Sequence, residues 1–137
     1  MSDAVEEIVN LGDRSYSVVV GHGVLSRTKE MIPSSARRVA IVTQEGIPAK
    51  YIPSFGDLHV SNHVIGEGES HKTLTTIERL CREFSQAGLT RGDVVVAVGG
   101  GMVTDVAGFA AASYHRGIAV VHVSTTLVGM VDAAIGG

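Results

Sequence analysis

The sequence VVVAVGGGMVTDVAG, residues 94–108, decides the fold class. Its apolar beginning predicts a buried strand, its three glycines a tight turn, and its apolar end a helix buried on all sides. Such a turn places backbone N–H groups at a helix N-terminus, where partial positive charge favours a phosphate group. Gly99 and Gly101 match the dinucleotide pattern G-x-G-x-x-G, but Thr104 occupies its third glycine position. The glycines alone therefore leave two interpretations open, a phosphate-binding turn and a tight buried turn.

The sequence on both sides of this unit predicts an α/β domain. Two further apolar runs are typical of buried parallel strands, and residues 58–65 alternate as a strand does. A hairpin is expected first, followed by a short helix over residues 24–32 and, near the end, a helix over residues 127–135. Strands that alternate with helices indicate a parallel sheet with helices on both faces. The apolar runs are residues 38–43 and 118–123, and the hairpin strands are residues 7–11 and 15–20.

The clearest helical pattern lies between Ser70 and Gly88. Ser70 is the expected N-cap, and Gly88 is expected to end the helix. The residues expected to form its buried face are spaced three and four positions apart: Leu74, Ile77, Cys81 and Phe84.

Composition excludes several classes of protein. The chain has 137 residues, about one domain, with 11 Lys and Arg against 14 Asp and Glu. A net charge of −3 gives no basic surface for nucleic acid or for an anionic membrane. The single cysteine excludes an intramolecular disulfide, and the acidic N-terminus has no apolar signal core. Residues 94–112 approach the length of a membrane span, but glycines and Asp105 interrupt them, so a cytoplasmic protein is expected.

Three polar side chains invite a functional interpretation. Asp105 is expected one turn into the helix, where it could accept a hydrogen bond from a ribose or nicotinamide group or stabilise the helix N-terminus. A ligand role is favoured, because a charge in an apolar helix needs a partner. His59 and His63 lie about 13 Å apart on a strand, too far to share one zinc ion. We expect both histidines to face solvent.

Beyond these patterns, the sequence resembles 3-dehydroquinate synthase. The resemblance rests on GGGMVTDVAGFAAASYHRG (99–117), STTL (124–127) and VDAAIGG (131–137). It also rests on GEGESHK (66–72), which matches the G-E-x-x-K nucleotide motif of that family. The resemblance implies that residues 1–137 are a Rossmann-like, NAD-binding N-terminal domain. The C-terminal helical metal domain of the family is absent from this sequence.

The resemblance also implies a chemistry. Members of the family convert 3-deoxy-D-arabino-heptulosonate 7-phosphate into 3-dehydroquinate and phosphate, in the shikimate pathway of aromatic amino acid biosynthesis. They use NAD+ and a divalent metal, zinc or cobalt, and act as homodimers on this small sugar phosphate. The reaction proceeds by alcohol oxidation, phosphate elimination, ketone reduction, ring opening and aldol closure. Because the metal ligands of the family would lie beyond residue 137, this chain alone is expected to be inactive.

Site residues follow by carrying the family's motifs onto matching positions. Asp132 would act at the substrate and nicotinamide end, and Arg116 would reach across a dimer to the substrate phosphate, which suits a guanidinium group. Simpler roles stay open: Arg116 as a solvated charge, and a helix-capping function for the two threonines. The residues implied to bind the cofactor are Glu67, Gly68, Glu69, Lys72, Gly100, Gly101, Met102, Val103, Thr104, Asp105, Thr125 and Thr126.

Departures from the family pattern keep alternatives open. Thr104 stands where many members have glycine, Ser124 where they have proline, and alanines 133 and 134 where they have a serine pair. These differences allow another sugar-phosphate cyclase with a different product. Iron- or zinc-dependent alcohol and glycerol dehydrogenases share the G-G-G-x-x-x-D turn, but they usually carry a lysine soon after the aspartate. A stand-alone nucleotide-binding module is the third alternative.

Overall fold

A β-hairpin and a short helix begin the chain in the computed structural model, which describes residues 3–135. Strand β1 (Val5–Val9) pairs antiparallel with β2 (Tyr16–Val20). A 3-10 turn then leads into α1 (Thr28–Met31). The hairpin and the short helix predicted from the sequence are both present.

The centre of the molecule is a four-stranded parallel sheet of order β4-β3-β5-β6. Strand β5 is buried along its whole length, which confirms the interpretation of residues 94–98 as a core strand. The strands are β3 (Arg38–Gln44), β4 (His59–Ile65), β5 (Val94–Gly99) and β6 (Ala119–Ser124). The α/β fold with an N-terminal hairpin is therefore confirmed.

The core has two layers, one on each face of the sheet. On one face, Ala40, Val42 and Val95 pack against α2 (Leu74–Gln86) and α3 (Gly101–Ser113). On the other face, Val39, Ile41 and Val96 pack against Phe55 and against Ile32, which follows α1. The connection from β3 to β4 thus lies on one face, whereas the connections that follow β4 and β5 lie on the other.

Helix α2 corrects two predictions. Its N-cap is Thr73, whose side chain accepts a hydrogen bond from the Thr76 N–H group, whereas Ser70 lies in a preceding 3-10 turn. Leu74 is 76% exposed, because the first turn of the helix is not covered by the sheet and lines an open cleft. Leu80 takes its place in the buried face, and Gly88 ends the helix at φ +80° as expected.

Two further burial predictions are wrong. Helix α3 is not buried on all sides, because Phe109 is 56% exposed on the face turned away from the sheet. His63 is only 5% exposed, although solvent exposure was expected, because α2 covers this face of β4. Glu83 of α2 and Ser61 of β4 each lie 2.8 Å from a ring nitrogen of His63.

The C-terminal region contains α4 (Leu127–Val131) and a 3-10 turn (Ala133–Ile135). No helix within residues 3–135 is both long and apolar enough to cross a membrane.

Candidate functional site

The carboxyl ends of the four parallel strands bring four loops together at one edge of the sheet. The connections after β3 and β5, which are neighbouring strands, leave toward opposite faces. Open α/β sheets bind ligands in the crevice outside the carboxyl ends of strands at such a point. The hydroxyl of Thr43 donates a 2.8 Å hydrogen bond to the Val98 carbonyl and ties the two strand ends together.

The glycine turn after β5 is packed tightly against the protein itself. A Cβ atom at Gly99 would lie 2.7 Å from the side chain of Val103, and one at Gly100 would lie 2.9 Å from Cγ2 of Thr126. These two glycines are therefore required for internal packing, as in the buried-turn interpretation. Gly100 caps α3 without any side-chain hydrogen bond, so the N–H groups of the first helical turn remain available to an anion.

The side chains that follow the turn divide between core and site. Val103 and Thr104 are buried, and the Thr104 hydroxyl lies 3.2 Å from the carbonyls of both Gly100 and Gly101. Met102 packs partly against the core. Asp105, whose side chain is 37% exposed, is the residue of this stretch best placed to present a charged side chain to a ligand.

A short ion pair joins the glycine-turn motif to the G-E-x-x-K motif. Nζ of Lys72 lies 2.6 Å from Oδ2 of Asp105 and 3.7 Å from a carboxylate oxygen of Glu69. The hydrogen bond to Asp105 is the main reason why the pKa of Lys72 is raised above its ordinary value. Lys72 is therefore a cation throughout the neutral range. Two motifs that the sequence presents separately meet here.

The ion pair stands at the mouth of a cleft of about 370 Å³ between α2 and α3. Leu74 and Phe109, the two unexpectedly exposed apolar residues of these helices, lie on its walls. Thr73, Ile77 and Val106 complete the lining together with the ion pair. The cleft is therefore apolar inside and charged at its rim.

The loop of residues 66–72 is shaped by its glycines. A Cβ atom at Gly66 would overlap the ring of His71, and one at Gly46, after β3, would lie 2.7 Å from a carboxylate oxygen of Glu67. Gly68 has φ +89°, a conformation that favours glycine. The loop is thereby held against the end of β3, with Glu67 and Glu69 exposed at the crevice.

Thr125 and Thr126 connect β6 to the glycine turn. The Thr125 N–H group donates a 2.9 Å hydrogen bond to the Gly99 carbonyl, and Oγ1 of Thr126 accepts one from the Gly129 N–H group. The capping function considered from the sequence is therefore present. Gly129 was missed: a Cβ atom there would lie 3.3 Å from the backbone nitrogen of Gly101. A glycine inside a predicted helix was the available signal.

Arg116 and Asp132 are not part of this cluster. Arg116 is exposed at φ +64°, just before β6, at the amino edge of the sheet. The length of β6, about 20 Å at 3.3 Å per residue, separates it from the glycine turn. Asp132 is exposed between α4 and the last 3-10 turn, and its carbonyl accepts a hydrogen bond from Ile135.

Histidine, cysteine and carboxylate side chains do not form a metal site in the part of the chain that the structure describes. No group of three or more of them lies close enough to hold an ion among residues 3–135. The residues present at the crevice therefore suit a nucleotide and do not by themselves suit a divalent metal.

Sequence comparison assigns the chain to a family. The family described as 3-dehydroquinate synthase N-terminal matches residues 62–137, which include every loop residue discussed above except those after β3. The chain belongs to this family. A 3-dehydroquinate synthase of Nitrobacter hamburgensis is 42% identical over 144 residues, which cover 99% of this chain and 38% of that protein. A protein of Amycolatopsis mediterranei named "Putative aminodehydroquinate synthase" is 48% identical over 130 residues, 94% of this chain and 36% of that protein.

Solved structures give the same grouping. A 2-deoxy-scyllo-inosose synthase complexed with carbaglucose-6-phosphate, NAD+ and Co2+ superposes with a TM-score of 0.76 at 32% identity, covering 91% of this chain and 36% of that one. The 2-epi-5-epi-valiolone synthase of Streptomyces hygroscopicus, with NAD+ and Zn2+ bound, gives 0.71 at 29% identity over 93% and 37%. A glycerol dehydrogenase at 18% identity shares the fold alone. The chain thus spans little more than a third of the proteins of this family that it matches.

Proposed function

We propose that residues 1–137 are the NAD-binding N-terminal domain of a sugar-phosphate cyclase of the 3-dehydroquinate synthase family. One observation carries the proposal: the Lys72–Asp105 ion pair stands beside a helix N-terminus whose first N–H groups have no side-chain cap. This arrangement offers donors for a diphosphate and both charges for ribose hydroxyls. Two solved relatives contain NAD+, which supports this choice of nucleotide.

Each element of the crevice has a distinct part in binding. Backbone N–H groups of residues 101–103 would hold the diphosphate, and the Asp105 carboxylate would accept a hydrogen bond from a ribose hydroxyl. Lys72 would donate to the same ribose, while Glu67, Gly68 and Glu69 shape and border the loop. Thr125 and Thr126 would position the glycine turn and add a hydroxyl donor. When bound, NAD+ supplies a hydride acceptor that the reaction later regenerates.

We propose that the whole protein converts 3-deoxy-D-arabino-heptulosonate 7-phosphate into 3-dehydroquinate and phosphate. Zinc or cobalt would be held by residues outside the described part, because that part contains no ligand cluster. Asp132 would lie at the substrate end of the cofactor. Arg116 lies at the far edge of the sheet, which favours a role in the site of a second subunit of a cytoplasmic homodimer.

A second cyclase activity has an observation in its favour. The protein named as an aminodehydroquinate synthase is more similar to this chain, at 48% identity, than the Nitrobacter enzyme at 42%. The product would then carry an amino group on the same carbocycle. Assaying the intact protein with heptulosonate phosphate and with its amino analogue distinguishes the two activities by the ratio of their kcat/KM values.

The cofactor assignment is tested by calorimetric titration of the chain with NAD+. Gly101→Val should abolish binding, because a branched side chain would occupy the place of the diphosphate beside the helix N-terminus. Gly92→Val at the opposite edge is the matched control, since a Cβ atom there meets Ser35 at an ordinary 3.6 Å. Unchanged affinity in a folded Gly101→Val variant would refute the assignment.

The activity of the chain alone is tested by phosphate release. The chain incubated with heptulosonate phosphate, NAD+ and zinc should release no phosphate above a no-protein control, because residues 3–135 contain no cluster of ligands for the metal that polarises the substrate. Release that scales with protein concentration and disappears in Asp132→Asn would show that the active site is complete within residues 1–137.

A further inference from the structure

His122 has a buried nitrogen that the protein leaves unpaired. Within residues 3–135, its Nδ1 atom is buried and has no hydrogen-bond partner. Buried polar atoms in native proteins almost always have partners, supplied by protein or by ordered water. An unpaired nitrogen beside a proposed ligand site therefore calls for a specific partner.

The ring of His122 lies against α3, one turn from Asp105. Its neighbour across the sheet is Ala97 of β5, which is small and carries no charge. A Cβ atom at Gly108 would lie 3.4 Å from Cε1 and 3.6 Å from Nε2 of the ring, so the glycine makes room for the imidazole. Asp105 and Gly108 are three residues apart and share one face of α3. The ring thus packs against the helix that carries Asp105.

The charge of Asp105 is close enough to His122 to affect the pKa of its ring. Burial is the main influence on the ring and lowers the pKa of His122, while the nearby Asp105 charge acts in the opposite direction and raises it. The net result is a pKa below its ordinary value, so the imidazole is neutral at pH 7. Asp105 is the charged group that α3 turns toward the ring, and Lys72 compensates that charge from the other side.

A water molecule could join a neutral imidazole to Asp105 and give the buried nitrogen a partner. Oδ2 of Asp105 accepts from Lys72, and no direct hydrogen bond joins the carboxylate to His122 among the described residues. If the ring carries its proton on Nδ1, this N–H group donates to a water molecule, and the water donates to the carboxylate. Water-mediated hydrogen bonds of this kind are nearly as favourable as direct ones.

We propose that His122 is a positioning residue of the nucleotide site, whose Nδ1–H group holds the Asp105 carboxylate in place through one buried water. His122 does not touch the cofactor; it fixes the orientation of the carboxylate that does. The inference rests on the proposed function for its effect on NAD+ affinity, but the Nδ1–H tautomer is a property of the ligand-free protein.

The first test is the tautomer of His122 in the ligand-free chain, measured from the ring nitrogen chemical shifts. The His122→Gln variant identifies the resonance by its loss. We expect the Nδ1–H tautomer, because the hydrogen-bond partner of a neutral imidazole decides which nitrogen carries the proton. In Asp105→Asn the population should shift toward Nε2–H. An Nε2–H tautomer in both proteins would overturn the proposal, whatever the chain does with NAD+.

The second test is a double-mutant cycle on NAD+ affinity. His122→Leu should weaken binding about tenfold, while His122→Gln, which keeps an N–H donor, should stay within about threefold. In the Asp105→Asn background, His122→Leu should change affinity by less than about twofold, because the group that His122 positions has been altered. An equal tenfold loss in both backgrounds would show a merely structural role. Absence of binding in the unmodified chain would instead refute the proposed function, and the tautomer would still decide the role of His122.

Discussion

Two aspartates mark the two edges of the parallel sheet, and their surroundings differ. At the amino edge, Asp93 is 2% exposed and accepts hydrogen bonds from the N–H groups of Arg37, Arg38 and Thr90 and from the Thr90 hydroxyl. At the carboxyl edge, Asp105 is 37% exposed and bonds to a single cation, Lys72. Asp93 is saturated by its own protein, whereas Asp105 has capacity left for a ligand.

The number of hydrogen bonds that the protein itself makes to a carboxylate distinguishes a structural carboxylate from one that can bind a ligand. A carboxylate with every acceptor position used by backbone donors contributes to folding and has nothing to offer a substrate. A carboxylate that faces a crevice and bonds to one half-exposed cation can exchange that partner for a ribose hydroxyl. The amino edge therefore stabilises the domain, and the carboxyl edge is where we propose that the nucleotide binds.

The largest expected effect is on stability at the amino edge. Asp93→Asn replaces an acceptor with an amide donor opposite the Thr90 N–H group and should lower the free energy of unfolding by about 2–4 kcal/mol. Denaturant unfolding measures the change, and exposed Asp57→Asn is the control, with an expected change within about 0.5 kcal/mol. The affinity of the folded fraction for NAD+ should be unaffected. Equal stability of the Asp93→Asn and Asp57→Asn variants would show that Asp93 does not stabilise the domain.

The same carboxylate predicts a pH dependence. Burial has the largest influence and raises the pKa of Asp93, but the hydrogen bonds from Thr90, Arg37 and Arg38 together outweigh it and leave the pKa below its ordinary value. Stabilisation is therefore fully present above the unfolded pKa of about 3.9 and is lost as pH falls through the folded value.

Unfolding free energies of the unmodified chain and Asp93→Asn should consequently converge as the pH falls below about 4. Urea titrations at several pH values above and below this point measure the difference directly. A difference that stays constant on acidification would mean that hydrogen bonding to the ionised carboxylate is not the source of the stability.

The next effect concerns the glycine turn, which is packed tightly inside the protein and is also part of the proposed binding site. Gly100→Ala should cost about 1–3 kcal/mol, because its Cβ atom would lie 2.9 Å from Cγ2 of Thr126. The double variant with Thr126→Ser removes that methyl group and should recover most of the loss in unfolding experiments. If the double variant is no more stable than Gly100→Ala, crowding by Thr126 is not what requires glycine at this position.

A smaller effect on folding, with a clear effect on binding, is expected at the carboxyl edge. Asp105→Asn should weaken NAD+ binding about tenfold or more, while the free energy of unfolding changes by less than about 1 kcal/mol, as is usual for a half-exposed ion pair. Calorimetry and thermal unfolding on the same samples measure both. A large loss of stability with unchanged affinity would show that Asp105, like Asp93, has a structural role and does not bind the nucleotide.

The sequence predicted the strands and the turn because their signals are local. Apolar runs and glycines fix β5 and the start of α3 whatever surrounds them. Burial was less predictable where it depends on neighbours: Leu74 matches the apolar spacing of α2 but extends beyond the sheet, and Leu80 is buried instead. His63 is buried because α2 supplies Glu83 as a partner, a contact between residues twenty positions apart.

The site was predictable in its members but not in its geometry. The motifs named both Lys72 and Asp105, yet only the fold shows that their side chains are 2.6 Å apart. His122 has no local signal of a role at the site, because its proposed role depends on a contact with α3. The signal at Gly129 is a glycine inside a predicted helix, and the reason for it is a contact with the glycine turn. Val103 and Thr104 are among the residues that the resemblance implies to bind the cofactor, and the fold shows that their side chains are buried in the protein.

The most direct test of the central claim is a backbone amide chemical-shift map of the chain during titration with NAD+. We predict large perturbations at the carboxyl edge, in residues 67–72, 99–105 and 125–126, and none at residues 90–93 or at Arg116. Saturable perturbations that cluster at the amino edge, with residues 99–105 unchanged, would contradict it.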